Sequence, residues 1–445
     1  MTKRVTVIGA GLAGSECALQ LAARGIEVLL IEQRPIHRSL AHHTSDFAEL
    51  VCSNSLKSTK EESAAGILKR ELTEMKSFLL QIARENAVSA GGALAVDRRK
   101  FSRSVTAVVE ANPLVKIERR EATEIPDGPC VIAAGPLCSD ALYAAISKRV
   151  GTEGMSFYDA AAPIVSAESI DRSIVFSQSR YEKAGRGDYL NCPFNKNEYE
   201  AFIRELIGAQ RVVSREFEQA DLFQACQPVE EVARTGFESL RFGALKPVGL
   251  IDPRDGRRPW AAVQLRAENE AATAYNLVGF QTNLTWGEQK RVFTMIPGLA
   301  QAEFVRYGVM HRNSFVDAPH TLTDTFAIPH SCVRLAGQIT GTEGYVEAIA
   351  SGLLAALNTY ADLVGASQMH LPTTGALGSL VAYATNPNTT DYQPMHVNFG
   401  LFPPLDTEIK KKDERRARMT QRAHEDFDAY LRLRSDLFGQ RSDDQ

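Results

Sequence analysis

Arg4-Val5-Thr6-Val7-Ile8-Gly9-Ala10-Gly11-Leu12-Ala13-Gly14-Ser15-Glu16-Cys17-Ala18-Leu19 is the stretch that decides the fold. Val5 to Ile8 predict a short buried strand. Gly9, Gly11 and Gly14 form G-x-G-x-x-G, and Ser15 to Ala23 carries a helical pattern with Cys17, Ala18, Leu21 and Ala22 on one side. The three glycines act differently. Gly9 permits the tight turn, Gly11 lets the backbone approach a pyrophosphate, and Gly14 lets helix pack on strand. Ala10, Leu12 and Ala13 fill the turn, whose helix N-terminus faces the phosphates. Gly25 ends the helix, Ile26 to Ile31 forms a second apolar run, and Glu32 closes it 18 residues after Gly14. An acidic residue there accepts hydrogen bonds from an adenosine ribose and repels a 2′-phosphate, so FAD or NAD is expected rather than NADP.

At 445 residues, 44% of them hydrophobic and 23% charged, the chain predicts a globular protein of two or three domains. The formal charge of −4 gives no overall signal for nucleic acid, so an RNA contact needs a local patch. A strand beginning this early leaves no room for a leader, and no apolar run approaches the ~18 residues needed to cross a bilayer, so a cytoplasmic protein is expected. The seven cysteines are scattered. With no C-x-x-C there is neither a metal site nor a redox pair, and a reactive cysteine should act alone.

Two cysteines stand apart. Cys52 lies in Val51-Cys52-Ser53-Asn54, among polar neighbours, and reads as a reactive thiol or as a residue packed under a loop. Cys226 precedes Gln227-Pro228-Val229-Glu230, where Pro228 suits a first helical turn whose partial positive charge lowers a thiol pKa; the alternative is a buried Cys beside Phe223. From about Asp159 the texture turns to short β segments and aromatic loops, the mark of an inserted domain. Ala64 to Ala83 predicts one amphipathic helix, and Lys246–Arg254, Ala262–Arg266 and Leu277–Thr282 predict strands. Val333 to Tyr345 returns to strand, glycine turn and helix, with Gly337, Gln338, Gly341 and Tyr345 in a second cofactor turn. His311 is a candidate for stacking on a heteroaromatic ligand or for acid–base work. Lys410, Lys411, Lys412, Arg415, Arg416, Arg418 and Arg422 form a basic cluster on a C-terminal helix, suited to a phosphate backbone or to a solvated face.

Longer strings carry a resemblance: Phe47–Leu56, Gly91–Asp97, Tyr189–Pro193, Lys246–Leu250, Glu288–Arg291, Met295–Gly298, Tyr307–Asn313 and Gly337–Tyr345. Together they resemble the bacterial folate- and FAD-dependent tRNA (uracil-C5) methyltransferases over nearly the whole chain. The last string also resembles the larger FAD-dependent tRNA wobble-uridine modification proteins. Departures are local: Ala134 and Cys138 near Gly135, Ser63-Ala64, and His43 at a variable place.

The resemblance implies an α/β fold, a Rossmann-like, glutathione-reductase-type FAD-binding domain (1–158 and 325–370) interrupted by a mixed α+β insertion domain (159–324), with a C-terminal segment at 371–445. It implies methylation of the T-loop uridine of tRNA, with methylenetetrahydrofolate as carbon donor, reduced FAD as reductant and NADPH or NADH reducing the flavin. Cys226 matches the nucleophile and Cys52 a second essential cysteine, His311 a residue stacking on the folate pterin, and Tyr345 a neighbour of the isoalloxazine. The same chemistry on a ribosomal-RNA uridine, or a non-catalytic FAD-bound RNA-binding protein, are the alternatives. Neither a membrane nor a stable protein partner is expected.

Overall fold

The opening strand becomes the centre of a parallel sheet. β1 (Arg4–Ile8) pairs with β2 (Glu27–Glu32) on one side and β7 (Cys130–Ile132) on the other; β6 (Val115–Arg119) and β16 (Val333–Leu335) complete the order β16-β7-β1-β2-β6. The computed structural model describes residues 3–39, 41–152, 155–182, 187–212, 227–390 and 392–438, and only the backbone of 157–159 and 311–312. Every pairing in this sheet is parallel, which requires cover on both faces. The helix Leu12–Ala22 is buried along its whole length, and fifteen of the twenty residues of Tyr345–Val364 are buried as well.

A three-stranded antiparallel sheet, β3 (Ser55–Ser58), β5 (Ala93–Val96) and β4 (Ala87–Val88), flanks this layer. A six-stranded antiparallel sheet has the order β10 (Phe176–Ser177), β11 (Tyr189–Phe194), β12 (Ala261–Ala267), β13 (Ala274–Leu277), β9 (Ile164–Ser166) and β14 (Phe304–Arg306). It is packed by the helix Lys196–Gly208, whose Tyr199, Phe202, Ile203 and Leu206 are buried beside Phe194, Phe280 and Phe293. The buried apolar residues fall into two main clusters. One draws on residues 5–146 and 315–437, the other on 162–302. The chain passes between them along an antiparallel pair, β8 (Met155–Ala160) and β15 (Met310–Phe315).

Three element expectations need correction. The single helix over 64–83 is two, Ala64–Glu74 and Phe78–Glu85. Lys76 turns to φ 59°, Ser77 caps the second helix by accepting from Leu80 N, and its hydroxyl donates to buried Glu16 at 3.0 Å. Apolar periodicity runs through the break because both helices face the same core. The segment 246–254 is turns, its one bridge being Asp252 with Arg257; Pro247 and Pro253 lack ladder donors and Gly249 has φ 82°. At 277–282 pairing ends at Leu277, because Gly279 at φ 79° turns the chain away.

The C-terminal helix Lys412–Leu433 buries Met419, Thr420, Ala423, Phe427 and Leu431, and Arg70 pairs with its Asp428 at 2.8 Å, fixing it on Ala64–Glu74. Among the described residues no helix is long and apolar enough to cross a membrane.

The two central helices meet at Gly352 and Ala13, and the first packs on its own turn at Gly14. A Cβ on Gly352 would lie 2.2 Å from the Ala13 carbonyl oxygen, and one on Gly14 would lie 1.8 Å from that of Gly9. Gly352→Ala is therefore expected to force the helices apart and cost about 1–3 kcal/mol, read as a lower denaturation midpoint. An unchanged midpoint would contradict this close approach.

Candidate active site

The β1 turn is shaped for a dinucleotide. Gly9, at φ 97°, donates to the Ile31 carbonyl at 2.7 Å, and a Cβ there would meet the Ala133 carbonyl at 2.5 Å. Gly11 caps the helix, and no atom lies within 4 Å of where its Cβ would stand, so that face is open. Beside it is a cleft, open to solvent, lined by Gly9, Gly11, Ile31, Glu32, Ala134 and Cys138, among others. Open backbone at a helix N-terminus next to a cleft rimmed by a carboxylate fits the pyrophosphate and ribose of FAD.

Glu32 is 4% exposed and already engaged. One oxygen accepts from Ala10 N at 2.8 Å; the other accepts from Arg34 N at 2.9 Å and Nε at 2.8 Å. A carboxylate has about four acceptor positions, so a ribose hydroxyl can still be received. Burial acts to raise the Glu32 carboxyl, but its hydrogen bonds and charge pairing with Arg34 outweigh that and hold it below the usual carboxylate range. Arg34 also reaches Glu49 at 3.2 Å. Arg34 does not stand out in the sequence as a site residue, although its place two residues after the acid is an available signal.

The second turn abuts the first. Gly337, at φ 83°, donates to Ser351 Oγ at 2.7 Å, and a Cβ on it would lie 3.1 Å from that of Ala13. Gln338 Nε2 donates to Glu343 Oε1 at 2.5 Å. Gly341, at φ 79°, leaves room for the Tyr392 hydroxyl, which donates to the Thr340 carbonyl at 2.7 Å. Tyr345 opens the long helix, and its hydroxyl accepts from Cys52 N at 2.8 Å. Gly9–Gly14, Gly337–Tyr345 and Cys52 are thus drawn to one side of the sheet.

The Cys52 thiol lies 3.7 Å from the Ala160 carbonyl. Ala160 pairs with Met310, the neighbour of His311, whose backbone pairs with that of Asp159 while its side chain lies outside the described residues. Arg98, Arg266 and Arg306 surround the same loop; nothing in the sequence groups them, because they are far apart in the chain. Burial pushes the thiols of Cys17 and Cys192 far up, and that of Cys130 to about 12. Cys332 is exposed.

Cys226 lies outside the described residues. The chain after it is firmly anchored, with Pro228 capping the short helix Val229–Thr235 and Val229 N donating to the Gln281 carbonyl at 2.7 Å. Buried Glu230 accepts from Thr282 Oγ1 at 2.9 Å and Asn283 N at 2.7 Å; burial pushes its carboxyl up to about 7. Lys410, Lys411, Lys412, Arg415 and Arg418 are exposed at the start of the C-terminal helix, a separate element. Arg416 lies 5.4 Å over the Phe399 ring, and Arg422 donates to the Pro404 carbonyl at 2.8 Å, so these two support local structure. No group of three His, Cys, Asp or Glu side chains able to hold a metal ion occurs among the described residues.

Comparison with known proteins agrees with this architecture. A family model described as glucose inhibited division protein A matches residues 4–367. The chain is 52% identical over 433 residues to the methylenetetrahydrofolate–tRNA-(uracil-5-)-methyltransferase TrmFO of Geobacter sulfurreducens, covering 97% of this chain and 99% of that protein. It is 50% identical to the protein of the same name in Bacillus cytotoxicus, with 97% and 100% covered. Among solved structures, Aquifex aeolicus GidA superposes with a TM-score of 0.69 at 15% identity, over 98% of this chain and 75% of that one, a likeness of fold.

Glu32→Gln is expected to cost about 2–3 kcal/mol at neutral pH, since Arg34 loses its buried partner. Because the folded carboxyl lies below its unfolded value, this stabilisation is present above the unfolded pKa and is lost as pH falls through the folded one. Denaturation of wild type and variant should therefore differ at pH 7 and converge in acid; a constant difference would contradict the pairing.

Proposed function

This chain belongs to the methylenetetrahydrofolate–tRNA-(uracil-5-)-methyltransferase group of the GidA family, and on that premise we propose that it methylates C5 of the T-loop uridine of tRNA. Methylenetetrahydrofolate is the carbon donor. Bound FAD, reduced by NADPH or NADH, supplies the two electrons that convert the transferred methylene to methyl. The observation that carries this reading is the contact between Cys52 N and the Tyr345 hydroxyl, 2.8 Å, which puts a cysteine loop at the N-terminus of the helix following the second cofactor turn.

The protein's own groups have separable roles. Gly9 to Gly14, Gly337, Gln338 and Gly341 shape the cofactor cradle, and Glu32 takes the ribose. Uracil C5 is a poor nucleophile until a thiolate adds at C6; Cys226 makes that addition and is later released. The proton on C5 must leave before the product forms, and in this proposal Cys52 receives it. His311 stacks on the pterin. The target base leaves its stack to enter the site, while Lys410, Lys411, Lys412, Arg415 and Arg418 contact the RNA backbone.

Purified FAD-bound protein supplied with labelled methylenetetrahydrofolate, NADPH and a tRNA transcript should yield 5-methyluridine by nucleoside mass spectrometry. A ribosomal-RNA fragment should not be labelled. Cys226→Ala is expected to reduce product by roughly 100-fold or more, and a wild-type rate would overturn its role. Reversing Lys410, Lys411 and Lys412 to Glu should weaken tRNA binding uniformly across sequences and reduce the salt slope by about 2–3; an unchanged slope would place the RNA elsewhere.

A further inference from the structure

Three aromatic rings form a ladder on the second core. Phe304 in β14 stacks on Tyr307, with centroids 5.0 Å apart and planes 13° from parallel, and Tyr307 stacks on Trp286 at 5.7 Å and 14°. Phe304 packs against the second apolar cluster, whereas Trp286, the first residue of the helix Trp286–Phe293, is 61% exposed. A single exposed apolar side chain is ordinary on a protein surface. An exposed indole at the end of a near-parallel stack is a flat, ready-made surface for a further ring.

The ladder is held from below by one buried amide. Gln289 Oε1 accepts from Gly308 N at 2.8 Å, and its Nε2 donates to the carbonyls of Gly308 at 2.9 Å and Leu284 at 2.8 Å. The residue after Tyr307 is thus tied to the chain that leads into Trp286. A Cβ on Gly308 would lie 2.6 Å from the Ala161 carbonyl oxygen, so the backbone beside Tyr307 also runs close to that of the end of β8. Rings fixed in this way lose little freedom when a ligand stacks on them.

Position and charge indicate the occupant. The described residues on either side of 213–226 are fastened just ahead of Trp286: Thr285 N donates to the Gln210 carbonyl at 3.1 Å, Val212 N to that of Asn283 at 2.8 Å, and Val229 N to that of Gln281 at 2.7 Å. From Tyr307 the chain runs directly into β15, whose Met310 pairs with Ala160, the residue whose carbonyl stands by the Cys52 thiol. Lys290, exposed one turn along the helix from Trp286, has no ion-pair partner among the described residues, while Glu288 is taken by Arg291 at 2.8 Å. Residues four apart share a helix face, and an ammonium beside an open ring suits a base with its phosphate.

We propose that the open face of Trp286 stacks an unpaired base of the RNA other than the uridine to be methylated, with Lys290 on the adjoining phosphate. The target base needs an enclosed pocket that reads its edge. An open ring supplies stacking alone, which every base accepts, so a second base held there keeps the strand open while the target is out of its stack. The identity of the ligand as RNA rests on the proposed function.

The test uses the FAD-bound full chain and two RNAs, a tRNA T-arm hairpin and its stem as a duplex without the loop. The hairpin should quench the indole fluorescence and the duplex should not, and the quenching should vanish in Trp286→Phe. Trp286→Ala should raise the Kd for the hairpin about 5- to 100-fold with the salt slope unchanged, and Trp286→Phe should restore most of the affinity. Lys290→Gln should lower the salt slope by about 1. Retained FAD and denaturation midpoint show that Trp286→Ala is folded; the wild-type quenching reads the contact without any variant. No quenching by the hairpin, equal affinity of wild type and Trp286→Ala, or quenching by NADP⁺ without RNA would overturn the proposal. The expected quenching and affinity loss, without formation of 5-methyluridine in the hairpin, would count against the proposed function alone.

Discussion

Two helices more than three hundred residues apart in sequence touch backbone to backbone, with the Ala13 carbonyl lying where a side chain on residue 352 would stand. The contact needs glycine on one side and alanine on the other, and it brings the β1 turn and the Gly337–Tyr345 turn against each other. Because they meet, the strands from the two ends of the chain, β1 and β16, lie in one sheet, with β7 between them.

The second core then has only one arrangement to serve. It leaves and rejoins the first along β8 and β15, and the carbonyl of Ala160 at the end of β8 stands by the Cys52 thiol. Arg266 and Arg306 reach from its sheet into the same loop. Among the described residues the two clusters are therefore joined by polar, charged contacts rather than by a continuous apolar seam. Such a junction is expensive to desolvate and worth little as stability, which accords with a role in positioning chemistry.

Local signals are legible in the sequence, and distant ones are not. G-x-G-x-x-G with Glu32 predicts the β1 turn because the glycines and the acid lie within one βαβ unit. The return of the same texture at Val333 to Tyr345 marks the second turn. A single helix over 64–83 overruns the break because a change of direction at Lys76–Ser77 leaves the apolar period undisturbed. Strands expected at 246–254 and 277–282 give way to turns because prolines and a left-handed glycine outweigh β-branched composition. The arginines around Cys52 cannot be grouped from the sequence, since their meeting depends on pairing β12 and β14 with strands elsewhere in the fold. Arg416 and Arg422 belong in sequence to the basic cluster, yet an aromatic ring and a proline carbonyl engage them.

The central claim is the proposal that Cys226 adds to a tRNA uridine during its methylation. A tRNA carrying 5-fluorouridine in its T-loop tests it most directly, because fluorine cannot leave C5 as a cation and the thiol adduct at C6 persists. Incubation with the FAD-bound protein, methylenetetrahydrofolate and NADPH, followed by nuclease and protease digestion and mass spectrometry, should recover the fluorinated nucleotide bonded to the peptide containing Cys226. No covalent adduct, or one on a peptide that lacks this cysteine, would contradict the account.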